Sequence, residues 1–197
     1  VVAGTSGLLA GLVEQGRLAS YVEPRQRRLH YELKDSNGLY RYYMPLELEG
    51  ETAIQYRTRL DRIFDLYTQM LPALTAYMQE QSGVPQQGRS AEWQATMQHE
   101  AREALQGILP LAATTTVAVY ASAQSLEHLI VRLASHTMEE ARVTSTHLLS
   151  ELRKTIPTFM EGADQPDRGG SVTAYRRSIR EVLTHFAQTS LSAPHAG

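Results

Sequence analysis

TTTVAVYAS, residues 114–122, is a strongly β-branched run in a chain whose longest segments carry helical spacing. Branching at Cβ stiffens the side chain and suits an extended backbone, so the run reads as a strand. Its continuous apolar middle suits burial on both faces. A strand here makes the chain α+β: a small antiparallel sheet packed with several long helices. Without it, the segments on either side would describe a helical interaction domain with no enzymatic role.

Upstream, Pro110 ends a helix predicted over Ser90 to about Ile108, with Ser90 as N-cap and a capping-box tetrad at Trp93 that lacks the usual Glu or Gln. Before it, Leu60, Ile63, Phe64, Tyr67, Leu71, Leu74 and Met78 keep helical spacing within 52–81, with a kink allowed at Pro72. RRLHYEL and LYRYYMP flank KDSNG, whose Asn37-Gly38 predicts a hairpin over residues 28–43, and this hairpin is expected to join the strand at Thr114 in the sheet. Gly7 to Val13 fits a short helix. Downstream, Ser125 to about Ile156 is helical again, as two helices meeting near Ser135-His136. EGADQPDRGG reads as a linker. Val172, Tyr175, Ile179, Val182, Leu183 and Phe186 then form one apolar stripe of a terminal helix. The organisation expected is a domain over 1–160, a linker over 161–171, a helix over 172–190 and a frayed tail over 191–197.

Of the 197 residues 42% are hydrophobic, enough for a real core, and the net charge of -2 argues against a general nucleic-acid binder. Lys34 and Lys154 are the only lysines, so arginine carries the positive charge. Genome composition explains such a bias; so does a demand for forked cations that grip phosphates or carboxylates. The chain has no cysteine, which excludes disulfides, thiolate metal sites and a cysteine nucleophile and makes a cytoplasmic setting the expectation. No apolar run reaches the length of a membrane span, and the opening residues lack the pattern of a signal peptide. Beginning Val1-Val2 is what a processed chain, a trimmed one or a piece of a longer protein would show. The seven histidines show no metal-site spacing, and Walker, GxGxxG and GxSxG motifs are missing. No metal is expected.

Two polar clusters remain. QGRLASYVEPRQR, Gln15 to Arg27, packs Arg17, Glu23, Arg25 and Arg27 into a short connector, and Pro24 disfavours helix at Glu23. RLASHTMEEAR puts Arg132, His136 and Glu140 at i, i+4 and i+8, one face of a helix if the helix is continuous. That face reads as a salt-bridged surface, or as one wall of a site in which arginines from several elements hold a phosphorylated ligand.

QGRLASYVEPRQR resembles the signature RHRxxSxNExSxR of the flavin-dependent thymidylate synthases (ThyX), with Arg17, Ser20, Glu23 and Arg27 on its third, sixth, ninth and last positions. VAGTSGLLAGLV is similar to that family's lead-in helix, and LPLAATTTVAVYASAQSL to its leucine-proline, strand and NxRxL segment. RLASHTMEEAR resembles its RxxxHAQxEIR helix, at a spacing about one residue short. The likeness runs in order from Val2 to about Phe159 and lacks the N-terminal part of the family fold. It implies a homotetramer, or partnership with another such domain, in which FAD and dUMP lie between subunits. NADPH would reduce the flavin, and methylenetetrahydrofolate would supply the carbon for dTMP. No enzyme cysteine is needed. By the resemblance, Glu23, Arg25, Arg27 and Arg132 would bind substrate, and Arg17, Ser20, Ser122, Gln124 and His136 would bind the flavin; no membrane partner is implied.

The departures bear on activity. Gln15, Gly16, Val22 and Arg25 stand where the signature has Arg, His, Asn and Ser; Gln106 replaces an arginine, Ser122 and Gln124 replace the Asn and Arg of NxRxL, and Met138 the glutamine of HAQ. Val22 and Met138 cannot make the hydrogen bonds of an amide, a loss of about 1–3 kcal/mol for each partner left unpaired. Two readings follow: an active thymidylate synthase, or a degenerate homologue that serves as an assembly partner or binds another phosphorylated ligand.

Overall fold

The computed structural model describes residues 1–24 and 28–191. They divide into two compact units, one of Val1–Gly11 with Tyr21–Val119, the other of Leu12–Ser20 with the chain from Tyr120 onward. The fold is α+β.

The predicted strand is β3 (Thr114–Ala121), the middle of a three-stranded sheet in the order β1-β3-β2. β1 (Val2–Ser6) runs antiparallel to it, with Val2 opposite Val117 and Ser6 opposite Thr114, and its register shifts between Ala3 and Thr5. β2 is Ala19–Val22. Helix α1 (Gly7–Val13) follows β1 directly, as its small and apolar residues predict. The strand is not buried on both faces. Thr115 and Val117 are buried, their neighbours are half-buried, and Tyr120 is exposed. The alternation of a sheet covered on one side has won over the apolar run.

The hairpin expected over residues 28–43 is only a turn. Asp35 Oδ1 accepts from the Asn37 and Leu39 amides at 2.8 and 2.9 Å, and Gly38 adopts φ 75°, which a side chain would disfavour. No strands flank it. Tyr31, Tyr40 and Tyr42 instead surround Phe64, at ring-centroid distances of 6.2, 5.2 and 5.6 Å. Their hydroxyls are satisfied there: Tyr31 donates to the Thr114 carbonyl (3.0 Å), Tyr40 to Asp65 (2.6 Å) and Tyr42 to Asp61 (2.9 Å). Packing three rings on Phe64 outweighs the local cross-turn ladder, and besides the Tyr31 hydroxyl the segment meets the sheet region through the bridge of Tyr42 to Ala113, where the Tyr43 amide donates to the Ala112 carbonyl (2.8 Å) and the Thr114 amide to the Arg41 carbonyl (3.0 Å).

Phe64 belongs to α2 (Gly50–Gln81), whose buried face is Leu60, Phe64, Tyr67, Leu71 and Thr75 and which continues through Pro72. α3 (Ala91–Leu105) packs on α2 and contributes Ala101 and Leu105 to the same core. Ser90 caps it, its hydroxyl accepting the Trp93 amide at 3.1 Å. Ser90→Ala should lower stability by about 1 kcal/mol, since it removes the side chain that caps that end; a thermal melt measures it.

Arg102 of α3 is buried beside the turn segment. It donates from Nη2 to Glu32 Oε1 (2.7 Å) and lies 3.2 Å from His30 Nδ1, which also meets Glu32 Oε1 at 2.9 Å.

In the second unit α4 (Ala123–Ala134) and α5 (Glu139–Thr155) pack together, the break falling at the Ser135-His136 step as the sequence indicates. Ile130, Leu149, Met160 and Ala163 form the core, and the Ser145 hydroxyl donates to the Ile130 carbonyl at 2.8 Å. After α5 come a short helix α6 (Pro157–Met160) and a 3-10 turn (Glu161–Ala163), both with buried residues. Gly162 and Ala163 are packed rather than strung out as a linker, and α7 (Gly169–Leu191) begins at a glycine whose added Cβ would lie 2.1 Å from the Ala163 carbonyl oxygen. The apolar stripe of α7 is exposed. No helix among the described residues is long and apolar enough to cross a membrane, and among them no three carboxylates or imidazoles are grouped to hold a metal.

Candidate functional site

The last carbonyls of a helix have no partner within it. At the end of α4 the four successive carbonyls of residues 134–137 all accept from guanidinium groups. Arg177 of α7 donates to Ala134 from Nε (3.2 Å) and Nη2 (2.5 Å), and Arg180 donates to Ser135. Arg142 of α5 donates from Nη1 to the His136 carbonyl (3.2 Å) and to that of Thr137. Cations at a helix C-terminus also complement its dipole. Each guanidinium has five N–H groups, so most of the donors are left over.

These three arginines line a pocket of about 530 Å³, the size of an ordinary small-molecule site. His136, Thr184, His185 and Gln188 line it too, and among the described residues Glu181 is its only carboxylate. Among the described residues none of the three guanidinium groups pairs with a carboxylate. A pocket with three cations and one anion has a net appetite for negative charge.

His136 is tied into this turn. Its Nδ1 accepts the Met138 amide at 3.1 Å, so in the neutral ring the proton sits on Nε2. Burial, then the charges of Arg180 and Arg142, hold its pKa below the ordinary histidine value. The neutral imidazole therefore offers the pocket an N–H donor.

The other expected site residues are distributed differently. Arg132, in the last turn of α4, donates from Nη2 to the Leu12 and Val13 carbonyls at 3.0 and 3.1 Å and so closes the end of α1. Glu140 is buried in the first turn of α5. Arg132, His136 and Glu140 do not share a helical face, because α4 stops at Ala134. Ser122 is the N-cap of α4, its hydroxyl accepting the Ser125 amide (3.2 Å) and sharing a hydrogen bond with the Ser125 hydroxyl (2.9 Å). Gln124 is exposed in the first turn of that helix. A rise of about 1.5 Å per residue places these two roughly 15–20 Å from the arginine-rich turn. Arg17 and Ser20 are exposed, Ser20 within β2; Glu23, in the first unit, is half-buried just after that strand. Arg25 and Arg27 lie outside the described residues.

The sequence reading overlooked Arg177 and Arg180. It valued the terminal helix for its apolar stripe, yet 177, 180, 181, 184 and 188 recur at helical spacing on another face, and that polar face was the available signal.

The chain resembles UPF0159 proteins of Chlamydia pneumoniae (24% identity over 184 residues, 92% of this chain and 34% of that protein) and Chlamydia muridarum (25% over 186 residues, 93% and 35%). A UPF0159 protein of Thermoplasma acidophilum is 23% identical over 206 residues, covering 93% of this chain and 41% of its own length. The chain thus spans about a third to two fifths of these relatives. In three dimensions it resembles the UMP/dUMP methylase PolB of Streptomyces cacaoi, bound with 5-Br UMP, at a TM-score of 0.50 and 15% identity over 88% of this chain and 72% of that one, a likeness of fold. The model of the thymidylate synthase complementing protein family (Thy1) matches residues 1–158, four fifths of the chain and every element from β1 to α5, and the chain belongs to that family.

Proposed function

We infer that this chain is a Thy1-family module that binds a phosphorylated, nucleotide-like ligand and does not by itself carry out flavin-dependent methylation. The observation that carries the reading is the pocket with Arg142, Arg177 and Arg180 on its walls, none of them, among the described residues, in an ion pair with a carboxylate. Forked guanidinium donors match the oxygens of a phosphate, and the adjacent N–H of His136 adds a neutral donor. A nucleoside monophosphate is the natural probe, because the fold is shared with a methylase bound with 5-Br UMP.

The residues on the expected flavin side do not fit FAD. Ser122 has its hydroxyl turned to the N-terminus of its own helix, Gln124 supplies an amide where a guanidinium is needed, and Arg17 and Ser20 stand in solvent. The whole relatives are two to three times longer, so a catalytic role for the complete protein would draw on residues outside this chain.

Titration with dUMP should give saturable binding, while the purified chain with added FAD shows no bound flavin absorbance and no dUMP-dependent NADPH oxidation. Flavin binding together with turnover by this chain alone would establish the thymidylate synthase reading in its place. Loss of any response to dUMP, UMP and inorganic phosphate alike would remove the ligand reading.

A further inference from the structure

Helix α4 carries both α5 and α7, and the cleft between those two helices has α4 as its floor. The arginine pocket fills one end of this cleft. Beyond it lies a second cavity of about 710 Å³, again within the range of small-molecule sites. Arg177 lines both, so the two spaces meet at its side chain. Ala163, Asp164 and Gly170 bound the other end, in a turn so tight that a Cβ on Gly170 would stand 2.7 Å from the Gln165 carbonyl oxygen.

The charges of this second cavity are matched everywhere except at the junction. Arg153 grips Asp164 through two hydrogen bonds, at 3.1 and 2.5 Å, and Lys154 meets Glu151 at 2.5 Å. Among the described residues Arg177 has no carboxylate partner. It spends Nε and Nη2 on the Ala134 carbonyl, which leaves the N–H groups of Nη1 over. One anionic group therefore suits the cavity, and it belongs at the border with the arginine pocket.

The body of the cavity is apolar. Ile130 and Leu149 lie at its base, 2 and 8% exposed, with Ala134, Ala163 and Ala174 around them. Ser145 and Thr146 turn their hydroxyls to the Ile130 and Arg142 carbonyls, at 2.8 and 3.2 Å. Among the described residues the lining holds no amide side chain and no aromatic ring. Its walls are helices, whose backbone groups are bonded to one another. A nucleobase placed here would find little to pair with its polar edge and no ring to stack on, and each polar group left unpaired costs affinity. A hydrocarbon body meets no such cost.

We propose that the ligand of the arginine pocket is a phosphate monoester of an apolar alcohol, its phosphate on Arg142, Arg177 and Arg180 and its hydrocarbon body past Arg177 in the second cavity. This names the ligand class of that site and rests on the phosphate reading of it.

The test compares naphthyl phosphate with inorganic phosphate and dUMP by isothermal titration of the full chain. Naphthyl phosphate should bind at least about tenfold more tightly than either, a gain that roughly 60 Å² of apolar surface taken out of water supplies. Ser150→Leu with Ala174→Leu narrows the cavity from both walls, at two exposed positions, and leaves every arginine in place. An unchanged far-ultraviolet circular dichroism spectrum verifies that this variant folds. In it the advantage of naphthyl phosphate should shrink to within about threefold, while inorganic phosphate binds as before. Equal affinity of the parent chain for naphthyl and inorganic phosphate overturns the apolar body and leaves the phosphate site standing. An advantage that survives the two leucines overturns the placement. Failure of all three to bind removes the phosphate reading and the proposal with it.

Discussion

Replacing Arg102 with methionine should lower the stability of the unit that contains α2 and α3 by about 3–5 kcal/mol, the usual cost of removing one member of a buried ion pair. The side chains of Arg102 and Glu32 are 7 and 15% exposed, and their contact is 2.7 Å. The pair is incompletely satisfied: among the described residues Arg102 Nε and Glu32 Oε2 are buried without hydrogen-bond partners. With the guanidinium gone, Glu32 would keep His30 at 2.9 Å and its own backbone amide but would be left as a largely desolvated carboxylate without a permanent cation. Thermal unfolding should report a drop of roughly ten degrees or more. A change within one degree would mean that solvent reaches Glu32 freely.

The same pair gives a pH dependence of known sign. Burial pushes the Glu32 carboxyl up, but the hydrogen bonds from Arg102 and His30 more than offset this and hold its pKa below the ordinary value. A carboxyl depressed in the folded state binds fewer protons there than in the unfolded chain. Its contribution is therefore complete above the ordinary carboxylate range and is lost as the pH falls through the lowered folded value. Arg102→Met should flatten this acid limb as well as lower the plateau. Adding Glu32→Leu to Arg102→Met should recover part of the loss, because a buried pair replaced by apolar groups is often tolerated where half a pair is not.

Periodicity made most of the helices legible. Leu60, Phe64, Tyr67 and Leu71 outline the buried face of α2, and the serine at 90 marks the start of α3, because these signals are local. The strands beside β3 were not legible. VAGTS contains a glycine and small residues with no alternating apolar face, and β1 exists only through its pairing with β3. The hairpin failed for a related reason. Asn37-Gly38 fixes a turn, but whether its arms pair with each other depends on Phe64, a residue remote in sequence that draws the tyrosines into the core. Family likeness placed Arg132 and His136 in one region, and the structure puts them at the same end of α4. It could not give their partners. Arg132 is occupied by the carbonyls of α1, and of the three arginines lining the pocket Arg142 lies within the matched residues while Arg177 and Arg180 come from beyond them.

The double change Arg177→Gln with Arg180→Gln should weaken binding of dUMP, or of inorganic phosphate if that is the part recognised, by at least roughly a hundredfold. Each charge-assisted hydrogen bond is worth about 1.5–3 kcal/mol, and two arginines supply at least two of them to a dianion. Glutamine retains donors for the Ala134 and Ser135 carbonyls, so the end of α4 stays capped and the melting curve should move far less than the binding curve. Arg176→Gln is the matched control: it removes the same charge from the same helix at a position that does not line the pocket. Binding to this control should stay within a few-fold of the parent, because an exposed charge is screened over roughly 8–10 Å at ordinary salt. Equal losses in the double variant and the control would show that the ligand responds to the net charge of α7 and not to a built site. A double variant that binds as the parent does would leave Arg142 and His136 as the groups holding the ligand, with Arg177 and Arg180 reduced to caps for the α4 C-terminus.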